Sequence, residues 1–284
     1  MHAVLGERYA LLLGLRYTRA KRRNHFISFI SLASMLGIGL GVATLIVVLS
    51  VMNGFESELR SRILGMASHA TISGNSEGLP DWRDVAEMAG HNPDVAGTAP
   101  YIEGEALVKV GGEISGTVIR GVLPSEESKV SEIGTHMSSG TLADLKGGAF
   151  NIVLGYELAQ QLGVASGDKV DLMIPQLSVT PAGVLPRFRR FNVVGVFRIG
   201  MYEFDRGLVL VHLDDAAALY RMGDKVTGVR LKLNDLFQAP RVAREIAQAT
   251  PGAYFVSDGT RSHANFFRAV ATEKTVMFLI LSLL

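Results

Sequence analysis

The chain contains no cysteine. That excludes disulfide bonds, thiol nucleophiles, cysteine-ligated zinc and iron–sulfur clusters, and leaves any folded domain to be held by its core alone. It also lacks a phosphate-cradling loop. No G-x-x-x-x-G-K-[ST] occurs, and the nearest stretch, GVASGDKV (163–170), has the wrong spacing and follows a helix. The seven histidines, His2, His25, His69, His91, His136, His212 and His263, never stand at metal-ligand spacing, and no H-E-x-x-H is present. Two carboxylate pairs do occur, Glu126–Glu127 and Asp214–Asp215. Adjacent side chains diverge on a helix or a strand, so both pairs read as solvated caps and not as an acid/base couple. A formal net charge of +1 gives no argument for nucleic-acid binding. Nothing in this inventory points to an active site, a cofactor or a metal in this chain.

The most informative absence is local. Between Arg23 and Glu56 there is no Lys, Arg, Asp or Glu; the segment reads FISFISLASMLGIGLGVATLIVVLSVMNGF (26–55). A helix needs about 20 apolar residues to cross a bilayer core, so this run reads as a membrane span. Arg16, Arg19, Lys21, Arg22 and Arg23 precede it and Glu56 and Glu58 follow, which places the N-terminus in the cytoplasm and the body outside. The apolar stretch is too long for the h-region of a cleaved signal peptide. Gly37 and Gly41 form a G-x-x-x-G pair, open to close helix approach or simply to the glycine usage of membrane helices. A second apolar run, VMFLILSLL (276–284), is too short to span. It reads as a second spanning helix cut short, with a short hydrophobic tail as the alternative.

Between the runs lies material for one sizeable domain. Asp81–Ala89 reads as an amphipathic helix with Trp82, Val85, Met88 and Ala89 on one side. EALVKV (105–110) and TVIRGV (117–122) flank Gly111-Gly112 as a hairpin. NIVLG (151–155), DKVDLMI (168–174), RFNVVGVF (190–197), GLVLV (207–211), VRLKL (229–233) and AYFV (253–256) read as strands, VRLKL alternating as a half-buried one does. Leu158, Ala159 and Leu162 mark one short helix with Gly163 at its C-cap. Leu213, Ala216, Ala217 and Tyr220 mark a second, and Val242, Ile246 and Ala249 a third behind Pro240. Residues 261–284 read as one long helix. Strands and helices mix without a βαβ repeat, so the body is assigned to the α+β class.

One segment stands out. PQLSVTPAGVLPRFRR (175–190) interrupts two good strands and is long for a hairpin loop. Pro175, Pro181 and Pro186 each fix φ and remove an N–H, which argues against a central strand and for a stiff loop. Leu177, Val179, Val184 and Leu185 would stand in water, a profile that suits a docking element or, equally, a loop folded back on its own body. Arg187, Arg189 and Arg190 at its base offer cations to an acidic partner.

Three stretches together resemble the LolC/LolE permeases of the lipoprotein-releasing ABC transporter of Gram-negative bacteria. Residues 14–65 resemble the family's first transmembrane helix with its V-M-N-G-F-E-x-E-L signature. LGYELAQQLGVASGDKVDLMIP (154–175) resembles a pattern shared with MacB-like and FtsX-like permeases. Residues 175–192 resemble the proline-bounded hook of LolC. The resemblance implies a cytoplasmic or interfacial segment over 1–24 and transmembrane helix 1 over 25–53. A MacB-like periplasmic domain with hook loop 175–190 then fills 54–270, and transmembrane helix 2 starts over 271–284. It implies an inner-membrane permease subunit, with ATP used by a separate LolD-like ATPase. The other partners are a second permease (LolE-like or a second copy), a LolA-like periplasmic carrier, membrane lipid and triacylated lipoproteins as cargo. It assigns lipoprotein contact to Met52; Val48, Val51 and Phe55 are added as expected acyl-chain contacts, with packing against the missing helices the alternative for all four. Asn53 and Gly54 would shape the helix exit. It assigns carrier docking to Pro175, Pro181, Pro186, Arg187 and Arg189. The chain departs from the family at Phe188, where relatives have Gln, and at Asp171, where they have a basic residue; Arg187 and Arg190 are expected to compensate. A MacB- or FtsX-like mechanotransmission permease is the alternative, as is an anchored binding module without an ATPase.

Overall fold

The computed structural model describes residues 25–66, 68–75, 77–180, 183–235, 238–249 and 254–258, together with Thr272 and Val276. The chain divides into two compact units, Met1–Glu56 with Val270–Leu284, and Ser57–Ala269. The expected interfacial segment 1–24 and most of the expected C-terminal helix lie outside the described residues.

Helix α1 runs unbroken from His25 to Met66. Within it, Phe29–Gly54 is long and apolar enough to cross a membrane, with a mean hydropathy of 2.4. Asn53 and Gly54 lie within the helix, which continues beyond the expected span to Met66. Leu, Ile, Val and Ala dominate the stretch, and an isolated Gly costs only about 1 kcal/mol against Ala. Thr44 returns its hydroxyl to the carbonyl of Leu40 at 2.9 Å and so satisfies itself within the helix.

The second unit is built on ten strands. These are β1 (Ala70–Ser73), β2 (Val95–Val110), β3 (Glu113–Val122), β4 (Met137–Ser139), β5 (Asn151–Gly155), β6 (Lys169–Thr180), β7 (Gly183–Phe197), β8 (Leu208–His212), β9 (Gly228–Leu233) and β10 (Phe255–Asp258). Six short helices pack among them: α2 (Trp82–Gly90), α3 (Pro124–Val130), α4 (Tyr156–Leu162), α5 (Tyr202–Gly207), α6 (Leu213–Tyr220) and α7 (Ala239–Ala249). The sheet order is β10-β1-β9-β2-β3-β8-β5-β7-β4, with β6 joining both β7 and β2. The pairings β2–β3–β8–β5–β7–β6 therefore close a six-membered ring when β6 Asp171–Met173 pairs with β2 Leu107–Lys109. Two contacts, β3·β8 and β5·β7, are parallel and the rest antiparallel, as a mixed α+β sheet requires. Buried Leu158 and Leu162 on α4, Ala216 and Leu219 on α6 and Val242 and Ile246 on α7 join the main core. A second cluster gathers Val122, Ile133, Val153, Phe197 and Leu210.

Six local expectations are corrected. β2 begins at Val95, well before Glu105, because Pro93, Gly97 and Pro100 masked an extended run that β9 holds in register. β9 is not half-buried: it lies between β1 and β2, and Arg230 within it is only 2 % exposed. Its guanidinium pairs with Glu127 of α3, whose side chain is wholly buried, so that carboxylate is not a solvated cap. Asp215 is likewise buried, at 1 % exposure, whereas its neighbour Asp214 faces solvent. The last strand is Phe255–Asp258, displaced from the expected 253–256, and Ala243, not Ala249, is the buried alanine of α7.

Candidate functional site

The long loop expected at 175–190 is instead a β-hairpin. β6 and β7 pair from Lys169–Asn192 to Thr180–Gly183. β6 leaves β2 after Met173, and β7 joins β5 only from Asn192. From Ile174 and Arg187 outward the two strands pair only with each other, a two-stranded arm about 20 Å long at 3.3 Å per residue. The prolines do not prevent this, because each strand of a ribbon has one neighbour, and an N–H on the free side is not needed for pairing. The register skips from Ile174–Arg187 to Leu177–Pro186, so Pro175 and Gln176 form a bulge. Pro186 lies opposite Leu177, and Pro181 lies outside the described residues.

At the root of the arm, β7 alternates faces. Phe191, Arg189 and Arg187 share the side of the core; Arg190 and Phe188 share the other. Phe191 is buried and meets Phe150 edge to face with centroids 5.5 Å apart. Arg189 sets its guanidinium 3.9 Å over the Phe150 ring. Arg187 donates from Nη1 to the carbonyl of Leu219 at 3.5 Å. On the opposite face, Arg190 forms two hydrogen bonds with Asp171, at 2.8 and 3.1 Å, across the register pair. The hydrogen bond from Arg190 holds the Asp171 carboxyl below its ordinary range. Arg190 is thus engaged by Asp171 and does not compensate for it. Phe188 is 72 % exposed beside it.

The seat of Arg189 is positioned from a distance. Phe150 has a left-handed backbone, φ 52°. Its N–H and that of Gly148 donate to the two oxygens of Asp215, at 3.0 and 2.8 Å. Burial raises the Asp215 carboxyl above its usual value, and those two hydrogen bonds offset part of the rise. Phe150, Arg187, Phe188, Arg189, Ala218, Leu219 and Arg221 line a recess of about 340 Å³. Arg221 also lines a wider cleft of about 880 Å³, together with Glu77, Glu103, Glu105, Tyr220 and Lys225 among others. Burial first, then Glu105 and Glu103, push the Tyr220 phenol above its normal range. Phe150, Asp215, Leu219 and Arg221 were not legible as site residues; an adjacent Asp pair was the only trace of them.

The apolar candidates lie on α1. Val48 and Met52 are half-buried and Val51 is 65 % exposed; the side chain of Phe55 lies outside the described residues. At 100° per residue the four positions fall within about 100° of arc, one stripe on the helix. They belong to a different unit from the arm.

A spanning helix followed by a mixed sheet with a projecting arm defines a membrane-anchored module. Residues 31–249 match the family described as the MacB-like periplasmic core domain. The Xylella fastidiosa protein named lipoprotein-releasing system transmembrane protein LolC is 49 % identical over 275 residues, covering 97 % of this chain and 66 % of that protein. The Neisseria meningitidis LolC is 46 % identical, covering 96 % and 66 %. The Haemophilus influenzae LolE is 30 % identical, covering 94 % and 65 %. The chain belongs to the LolC/LolE family of MacB-like permeases, and spans about two thirds of the length of these relatives.

Proposed function

We propose that this chain serves in the permease subunit of an ABC transporter that releases outer-membrane-directed lipoproteins from the inner membrane to a periplasmic carrier. The observation that carries the reading is the two-stranded arm: a β-ribbon outside the ring of paired strands, with a cationic and aromatic root, is what a protein partner needs to grip. The names of the relatives supply the cargo class. Each acyl CH₂ drawn into water costs about 0.8 kcal/mol, so several long chains cost tens of kcal/mol. Release therefore needs an energy source and a dry path. A separate LolD-like ATPase supplies the first, using ATP that this chain does not bind. A cavity between permease helices supplies the second, formed with a LolE-like partner or a second copy. Val48, Val51, Met52 and Phe55 meet the acyl chains of triacylated lipoproteins on one stripe of α1. The N-terminus lies in the cytoplasm, and 54–270 in the periplasm, where the arm docks a LolA-like carrier through residues 175–190. A MacB- or FtsX-like role, passing ATPase motion to a partner without moving lipid, is supported by the match over 31–249 but gives the arm no task.

A photo-crosslinker placed at Met52 tests the lipid half of this reading in membranes holding an acylated lipoprotein. Crosslinks should form at Met52 and not at Ile46 on the opposite side of α1. Equal crosslinking at both positions, or equal yield with a non-acylated cargo, would favour the second reading.

A further inference from the structure

β2 carries a stretch of open edge in the middle of the sheet. On the side away from β3, β9 pairs with β2 as far as Tyr101, and β6 joins it only at Leu107. At 3.3 Å per residue the gap is about 20 Å long. The N–H and C=O of one strand residue point to the same edge, and those of the next residue to the other. Tyr101 accepts from the Thr227 N–H at 3.0 Å on this edge, so Glu103 and Glu105 present their backbone groups here too. Two side chains cover half of these groups. The Thr227 hydroxyl accepts from the Glu103 N–H at 3.0 Å, and the Tyr220 hydroxyl donates to the Glu105 carbonyl at 3.1 Å. Tyr220 comes this close because residue 104 is glycine; a Cβ there would sit 2.6 Å from the tyrosine ring. The Glu103 carbonyl and the Glu105 N–H have no partner among the described residues. Glu103, Gly104 and Glu105 all line the 880 Å³ cleft, into which this edge opens. Of the cleft's carboxylates, Glu103 is balanced by Arg120 and Glu77 by Lys225, whereas Glu105 has no ion-pair partner among the described residues.

We infer that this gap is a strand-addition site: an extended polypeptide segment carrying a basic residue lies in the cleft parallel to β2 and pairs with it at Gly104. The two open groups specify that direction. In a parallel ladder, the guest residue opposite Gly104 gives its N–H to the carbonyl before it and accepts from the N–H after it. Those are the Glu103 carbonyl and the Glu105 N–H, so the guest binds without displacing Thr227 or Tyr220. Antiparallel pairing at Glu103 or Glu105 would have to displace one of them. The next guest residue then stands beside Glu105 on the same face, where a Lys or Arg meets the unbalanced carboxylate. Main-chain bonds supply the binding and this one charge pair supplies the preference, the division usual when a peptide adds to a sheet edge. The site does not involve the β6–β7 arm, and the inference does not rest on the arm's role.

The test uses the full chain in detergent, with amide exchange read residue by residue. The probes are two capped peptides, Thr-Val-Ala-Lys-Val and the same peptide with Glu in place of Lys. Without peptide, the Glu105 amide should exchange quickly between slow amides at Gly104 and Ala106, which pair with β3. The Lys peptide at millimolar concentration should slow the Glu105 amide, and should bind about tenfold more tightly than the Glu peptide at low salt, the difference fading as salt rises. Glu105→Gln should bring the two peptides to similar affinity. Glu105→Pro removes an N–H that the fold does not use, so its melting temperature should hold while it binds neither peptide. A Glu105 amide already slow without peptide, or unchanged by the Lys peptide, would overturn the inference on the wild-type chain alone. Wild-type affinity in a folded Glu105→Pro chain would overturn it as well, and equal affinity of the wild-type chain for both peptides would overturn the role of the basic residue. Replacing residues 176–185 with a Gly/Ser linker should leave peptide binding unchanged; loss of binding in that chain would place the peptide on the arm and overturn the site at Gly104.

Discussion

Arg189 rests its guanidinium 3.9 Å above the ring of Phe150, whose left-handed backbone is tied by its N–H to the carboxylate of Asp215. The cation at the root of the arm is therefore linked through Phe150 to a carboxylate that never touches it. Phe150→Ala should remove the ring contact with Arg189 and the edge contact with Phe191, costing about 2 kcal/mol of stability by urea denaturation. It should also weaken carrier binding beyond what the stability loss explains.

Asp215→Asn keeps the shape but replaces one acceptor oxygen with an N–H₂ that faces a backbone donor. The unmade bond should cost about 2 kcal/mol, read as a lowered urea midpoint. Amide exchange at Gly148 or Phe150 should quicken with it. Unchanged protection of both amides would contradict the positioning role.

The Arg230–Glu127 pair is buried between β9 and α3. Removing one partner leaves a lone buried charge, so Arg230→Met or Glu127→Leu alone should destabilise by about 3–5 kcal/mol, whereas the double variant should recover most of that loss. Additive losses in the double-mutant cycle would show that the two do not act as a pair.

These residues also mark where sequence reading stopped. The amphipathic helices, the Gly163 cap and most strands follow from periodicity and were legible. Arg230 was not: VRLKL alternates as a half-buried strand does, and no local pattern reveals that α3 covers the polar side. Glu127 and Asp215 looked like solvated caps because their partners, Arg230 and the Gly148–Phe150 backbone, are distant in sequence. The hairpin arm was masked by prolines that forbid a central strand but not a ribbon with a bulge at Pro175. The arginines at the root were visible as a basic run, but the split of Arg190 from Arg187 and Arg189 came from strand alternation meeting Asp171.

Asp171 should titrate below the ordinary Asp value of about 3.9, because Arg190 binds its charged form. A carboxyl lowered in the folded state stabilises above its unfolded pKa, and that contribution is lost as pH falls through the folded pKa. The β6–β7 root should therefore hold at pH 5 and loosen only in stronger acid. NMR titration should show the Asp171 carboxyl returning to the ordinary range in Arg190→Gln; an unchanged titration would contradict the pairing.

The central claim is that the β6–β7 arm grips a periplasmic partner. The direct measurement is equilibrium binding of the purified lipoprotein carrier to the chain with residues 176–185 intact or replaced by a Gly/Ser linker, with melting temperatures recorded for both. The account predicts binding by the intact chain, none by the linker chain, and matching melting temperatures, because the ribbon pairs only with itself beyond Ile174. Equal affinity from both chains would contradict it.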